Sequence, residues 1–545
     1  MTGQGAGADA IAQGRSGLGL RVPAIAVRAP AWTITAVLGI VFVAVAPSSA
    51  DLAAAAYRSE LFGRAGFTVW DNGWYGGHHL PAYSLLAPAL GWLLGPLVLG
   101  ALSMTVAAAL FAALIEGRFQ RRATRIAALW FALGAGIELF SCRIPFCLGL
   151  AIGLGALVAG QRGRRALALT LAVVCALASP VAGLFLALAA LAWALAGSRT
   201  ALLMMAAALV PIALLAVAFP EGGSQPFAAS AFYPVLVAVL VIGALIGAEQ
   251  RVLRIGVLLY VVLLVGSYLV GNAVGGNVDR IGALCAGPLA ALVLAGGSQA
   301  RRRLLLVLAP FLLYWQVNAP VANVASGASD PAVHASYYAP LLAEFRALGI
   351  GYGGRPARVE VVPTRDHWEA RWVAPRVAIA RGWERQLDIH RNALFYEHPA
   401  PLGAARYRQW LSENAISYIA LPDAPLDYAA RGEARVLAQR PAYLREVWHS
   451  AHWRLFAVLG ARPLAEAPAV LTRLVSDSFT LFLPRPGRYQ VRVRFTPYWA
   501  LAGGRGCVRE APGGWTELEV PRAGSDRVVI DFSLARVFDH GPRCR

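Results

Sequence analysis

Long apolar runs joined by short polar connections fill the chain up to residue 317. They fall at 31–49, 84–115, 126–142, 144–160, 166–178, 181–197, 201–219, 231–248, 255–270, 281–297 and 304–317. A membrane-crossing helix needs about 20 apolar residues, and most of these runs are near or slightly under that length. The run 84–115 is too long for one span. Pro88, Gly91, Gly95 and Pro96 divide it into a short interfacial helix and a span starting near residue 97. The pattern predicts about eleven spans.

The pattern changes near residue 318. In 318–460, Ala357–Pro363, Ile416–Pro422 and Trp453–Leu459 read as strands and Tyr407–Asn414 as a helix, which predicts a small α/β domain. In 461–545, Phe479–Leu483, Arg488–Phe495, Trp515–Val520 and Arg527–Phe532 lie between Pro/Gly turns and predict a β-sandwich. The expected fold class is a polytopic α-helical membrane domain over 31–317, preceded by a cytoplasmic segment 1–30. An extracytoplasmic α/β and β-sandwich region follows.

Composition narrows the class. Of 545 residues, 58% are hydrophobic and 14% charged, where an ordinary soluble domain has about 25% charged. Apolar surface on that scale excludes a cytosolic enzyme, a disordered chain and a small disulfide scaffold. The net charge of +19 comes from 49 basic residues, all Arg. Such an excess suits nucleic acid or the positive flanks of cytoplasmic loops. Position decides between them: Arg118–Arg125, Arg162–Arg165, Arg199, Arg251–Arg254 and Arg301–Arg303 each follow an even-numbered run. With the N-terminus in the cytoplasm, alongside Arg15, Arg21 and Arg28, they all fall on one side. An odd number of spans then places the C-terminal half outside, at a bacterial plasma membrane. The clusters are thereby explained without nucleic acid, and the partner they imply is the lipid bilayer.

The outer loop 50–81 is the richest in polar and aromatic residues. Asp51 sits where the first span ends, and Asp71 follows in Trp70-Asp71-Asn72-Gly73. A carboxylate at the membrane boundary is a candidate general base for transfer to a hydroxyl; the other reading is a helix start and a turn. Arg58, Arg143 and Arg280 lie on the wrong side for the charge bias, and a guanidinium there suits a phosphate. Internal pairs, Glu138–Arg143 and Asp279–Arg280, are the alternative. Trp74, Tyr75, His78 and His79 are candidate substrate contacts or interfacial aromatics. Adjacent histidines point apart and make a poor metal pair, and no zinc spacing, P-loop or nucleophile elbow occurs, so no cofactor is indicated. Cys142 with Cys147, and Cys507 with Cys544, are candidate disulfides in an outer compartment. The dense segment Thr364–His398, with its Trp, Arg and carboxylates, suits either carbohydrate or a polar cover over the membrane domain.

Many spans, an acidic first outer loop, an interfacial helix after it and an outer C-terminal region together resemble the GT-C superfamily of membrane glycosyltransferases. The stretch WDNGWYGGHHLPAY (70–83) is similar to the end of that loop in related prokaryotic proteins. The Lys-free, Ala- and Arg-rich composition resembles that of high-GC bacteria such as actinobacteria. The resemblance implies an inverting transfer from a polyprenyl-phosphate sugar donor to an envelope glycan or lipid acceptor, with Asp51 and Asp71 in the acidic positions. Against it stand two other classes: a multi-pass transporter, and a non-catalytic envelope scaffold that binds glycan.

Overall fold

The computed structural model describes residues 29–397, 402–503 and 505–544. The expected segment 1–30, but for its last two residues, and His398 lie outside the described residues.

Each apolar run is a helix. Serines start several of them: Ser49, Ser179, Ser198 and Ser298 accept a hydrogen bond from the backbone N–H three residues on, satisfying a donor that the helix leaves open. Small residues let the helices touch. A Cβ on Gly149 would stand 2.6 Å from that of Ala182, and one on Gly183 2.9 Å from the Ala176 backbone. Helices Ile144–Gln161, Arg165–Ala178 and Pro180–Leu195 thus pack through Gly and Ala, as helices in lipid commonly do. The expected break in 84–115 is present: Ala87–Leu94 ends at Gly95, whose φ is +82°, and Pro96–Ile115 follows.

Among the described residues, seven helices are long and apolar enough to cross a membrane, or eight if Trp32–Val45 and Ala50–Ala65, bent by 78°, form one span. Arg165–Ala178, Pro180–Leu195 and Ala229–Leu245 are apolar but shorter. Length and composition therefore give seven or eight crossings, and about eleven are reached only if those three cross as well. Leu202, Leu214, Leu258 and Val262 expose apolar side chains on the sparsely covered helices Arg199–Ala218 and Arg251–Leu269. Such continuous apolar faces are stable against lipid and not against water.

The last apolar helix runs from Gln299 to Ala328. The composition change near 318 thus lies inside a helix, whose end packs against Ser48 and bonds Asp366 through Ser326. The loop expected over 50–81 contains the helix Ala50–Ala65 and a two-stranded hairpin, Trp70–Asp71 against His78–His79.

Beyond the bundle the chain is rich in strands. A five-stranded sheet has the order Ala378–Ile379, Arg358–Val361, Ile416–Pro422, Trp453–Val458, Leu444–His449. Its first three strands are parallel and the last two pairings antiparallel. Arg358–Val361 is buried throughout, as a central parallel strand is. Two four-stranded antiparallel sheets follow. One joins Gly487–Arg494, Trp515–Val520, Cys507–Ala511 and Arg543–Cys544; the other joins Trp499–Leu501, Gly524–Ile530, Ser478–Leu483 and Val470–Val475. Side chains from both, including Phe479, Val491, Trp499 and Leu518, form one core.

Cys507 and Cys544 are joined by a disulfide. Cys142 and Cys147 are not: both are buried free thiols. The Cys142 thiol turns to the Pro47 carbonyl at 3.7 Å, while Cys147 sits in the first turn of Ile144–Gln161. That correction follows from local direction, which spacing alone does not reveal.

Candidate functional site

The hairpin holds most of the residues expected to touch substrate, and it buries them. Asp71 has no exposed side-chain surface. It accepts hydrogen bonds from the Tyr57 hydroxyl at 2.8 Å and the Gly73 N–H at 2.9 Å. Burial pushes its carboxyl up to about 6, partly offset by those two hydrogen bonds. Trp74 is stacked between Tyr57 and His78, with centroids 4.6 and 5.3 Å away. Burial pushes the His78 imidazole down to about 3. The Tyr75 hydroxyl bonds the backbone of Glu384. The adjacent histidines do face opposite ways: His78 reaches the Asp71 carbonyl, and His79 reaches Glu221 and Thr496.

These residues fasten the loop 50–81 to the strand-rich region. The Asn72 side chain donates to the Val475 carbonyl, and backbone bonds run from Asn72 to Ser476, from Arg494 to Gly76 and from Ile379 to Gly73. Arg391 bonds the Gly77 carbonyl and pairs with Glu221 at 2.9 Å. Burial pushes the Glu221 carboxyl up, but Arg391 and His79 outweigh it and hold it down to about 2. Asp71, expected in catalysis, and Trp74, Tyr75, His78 and His79, expected in substrate contact, are thus buried in this junction. Asp71, Tyr75 and His79 are hydrogen-bonded within the protein, whereas the Trp74 Nε1 and His78 Nε2 atoms are buried without a partner.

Arg58 is also absorbed. It is buried, pairs with Glu384 and lies 4.0 Å from the centre of the Tyr83 ring. Burial pushes Glu384 up to about 7, with Arg58 pulling the other way. Arg58, expected to hold a phosphate, is an ion-pair partner of Glu384, and its Nε and Nη1 atoms are buried without a hydrogen-bond partner. The segment Thr364–His398 follows the same rule: Arg381 pairs with Asp388, Arg385 with Asp427, and His367 lies between Glu369 and Asp427. Its charges face one another, as a polar cover requires.

Asp51, Arg143 and Arg280 form a different setting. Asp51 occupies the first turn of Ala50–Ala65, next to the 78° elbow, with Ser49 as the cap. Its side chain keeps 29% of its surface exposed. Arg143, on the turn before Ile144–Gln161, lies 3.6 Å from Asp51 and 3.0 Å from Glu138. Arg280 begins the helix Asp279–Leu294 and bonds the neutral Asn277 side chain at 2.7 Å. The anticipated Asp279–Arg280 pair does not form, because Asp279 accepts from the Trp315 indole instead. Arg143 acts against the charge of Arg280, while Asp51 and Glu138 favour it. Among the described residues, Arg280 makes no ion pair, and the Nε atoms of Arg143 and Arg280 are buried without a hydrogen-bond partner. A buried guanidinium with unused donors favours an anionic ligand.

Two further residues take part without a role foreseen from the sequence. Asn277 orients Arg280, and Tyr83 covers the Arg58 guanidinium. Only their nearness in sequence to Arg280 and to the aromatic loop pointed to them. Among the described residues, no group of three or more His, Cys, Asp or Glu is placed to hold a metal ion.

Fold and site together define a class: a membrane protein with many apolar helices and a strand-rich C-terminal region, carrying an acid–guanidinium cluster at the elbow between Trp32–Val45 and Ala50–Ala65. No protein-family model and no curated protein matches the chain. Among solved structures, the archaeal oligosaccharyltransferase AglB from Archaeoglobus fulgidus, in complex with an inhibitory peptide and a dolichol-phosphate, aligns with 72% of this chain and 69% of its own, at 14% identity and a TM-score of 0.35. An identity and a score that low leave function to this chain's own residues.

Proposed function

We propose that the protein is a membrane glycosyltransferase of the GT-C type. It moves a sugar from a polyprenyl-phosphate donor to a glycan or lipid acceptor at the outer face. Asp51 takes the proton of the acceptor hydroxyl as its oxygen bonds to the anomeric carbon. The bond from that carbon to the phosphate oxygen breaks, and polyprenyl phosphate leaves with the bonding electrons. Arg280, with Arg143 beside it, holds the charge that grows on the departing phosphate.

What supports the reading is one juxtaposition: a partly exposed carboxylate beside two guanidinium groups, one of them without a carboxylate of its own. The set Asp51, Glu138, Arg143 and Arg280 is formally neutral, so a donor phosphate relies on Arg280. The test is transfer by the purified protein from radiolabelled polyprenyl-phosphate sugars to a glycan acceptor, with Arg280→Gln alongside. Removing a charge-assisted contact of about 1.5–3 kcal/mol raises the donor KM or lowers kcat/KM about tenfold or more. Equal kinetics in the variant remove Arg280 from the mechanism.

A further inference from the structure

A cavity of about 890 Å³ lies inside the helical bundle, apart from the Asp51 site. Its walls come from six or more helices, and small residues such as Gly153, Ala189 and Gly256 make the space. The volume is at the upper end of ordinary ligand pockets, roughly 300–1,000 Å³.

Its polarity is all at one end. Arg118, Gln161, Glu249, Gln250 and Arg251 line the mouth, where the Arg-rich connections gather. The deeper walls are apolar, and the Tyr260 hydroxyl among them is already spent on the Val278 carbonyl at 2.9 Å. At the mouth the groups are less satisfied. The Gln250 Oε1 atom is buried with no hydrogen-bond partner. Helix Arg251–Leu269 starts there with no side-chain cap, so the free N–H groups of its first turn favour an anion. Arg118 and Arg251 outnumber Glu249 by one positive charge.

We infer that this cavity binds a lipid by its tail, with a phosphate head at the Arg118–Arg251 mouth. A long apolar chain fills the deep walls. The guanidinium groups and the helix start meet the phosphate, and Gln250 accepts from a hydroxyl of the head. The head sits at the end of the bundle opposite Asp51, so this lipid is not the sugar donor in its reacting position. The inference does not depend on the proposed transfer.

The test uses the full-length protein, delipidated in detergent and offered phosphatidylglycerol, polyprenyl phosphate, or diacylglycerol as the phosphate-free control. Retained lipid is read by native mass spectrometry. At least one phosphate lipid is retained tenfold or more over diacylglycerol, and the better retained of the two names the source. The double variant Arg118→Gln/Arg251→Gln, at exposed positions, loses that preference. Gly256→Phe, whose added Cβ meets only Ala192 at 3.7 Å, blocks retention of every lipid by filling the cavity. Equal retention of diacylglycerol overturns the inference, and so does a phosphate preference that survives the double Arg variant. Retention unchanged in Gly256→Phe places the lipid on the outer surface and also overturns it.

Discussion

Asp51 keeps 29% of its side chain exposed, whereas Asp71 keeps none. Twenty residues apart on one loop, they have opposite surroundings, and chemistry follows exposure. Asp71 is held by Tyr57 and Gly73, and burial raises its carboxyl from an ordinary 3.8 to about 6. A raised pKa means the folded state favours the protonated form. This contribution to stability is full below about pH 4 and is lost as pH rises through about 6. The shift corresponds to up to about 3 kcal/mol. Asp71→Asn carries no such proton, so its stability rises relative to the parent protein between about pH 4 and 7. Thermal unfolding of both in the same detergent checks this, and a difference that stays flat with pH contradicts it.

At the scale of elements, the hairpin and the disulfide each carry a prediction. Gly77 has a φ of +126° and its missing Cβ would fall on the Trp70 ring. Gly77→Ala therefore loses about 1–3 kcal/mol, which chemical denaturation of the strand-rich region measures as a lower midpoint. The Cys507–Cys544 bridge spans 37 residues and ties the edge strand Arg543–Cys544 to Cys507–Ala511. Closing a loop of that length restricts the unfolded chain by about 3–4 kcal/mol. Reduction, or Cys544→Ser, lowers the melting temperature of the strand-rich region; an unchanged value contradicts the bridge's role. Elements were legible in the sequence where physics leaves few options. A run that must fill a bilayer needs its length in apolar residues, so every apolar run became a helix. The end of the last helix was not legible, because polar residues after Gln316 break the apolar pattern without breaking the helix. Of the site, Asp51, Arg143 and Arg280 stood out as charges in costly places. The role of Trp74, Tyr75, His78 and His79 did not, because an aromatic cluster has the same composition whether it meets a sugar or a second domain. The partners of Tyr75 and His79, Glu384 and Thr496, lie hundreds of residues away, and no local pattern encodes those contacts.

At the scale of the whole molecule, the strand-rich region is fastened to the helical bundle at several points. Glu221 links His79 and Arg391, the Tyr498 hydroxyl bonds the Ala218 carbonyl, Arg371 pairs with Glu60, and the Ser326 hydroxyl bonds Asp366. Glu221 is nearly buried, so removing it strands the Arg391 guanidinium and leaves His79 without its carboxylate contact. Glu221→Ala speeds backbone hydrogen exchange in Arg385–Arg391 and in the hairpin, while exchange in Pro96–Ile115 stays as before; equal rates throughout contradict this fastening. Asp51 lies partly exposed at the elbow between Trp32–Val45 and Ala50–Ala65. The central claim is that Asp51 removes the acceptor proton there. The direct measurement is single-turnover transfer from a radiolabelled polyprenyl-phosphate sugar by the purified protein and by Asp51→Asn, with folding matched by melting temperature. Loss of a positioned base predicts transfer slower by about 10²–10⁴-fold. Transfer by Asp51→Asn at the parent rate contradicts the account.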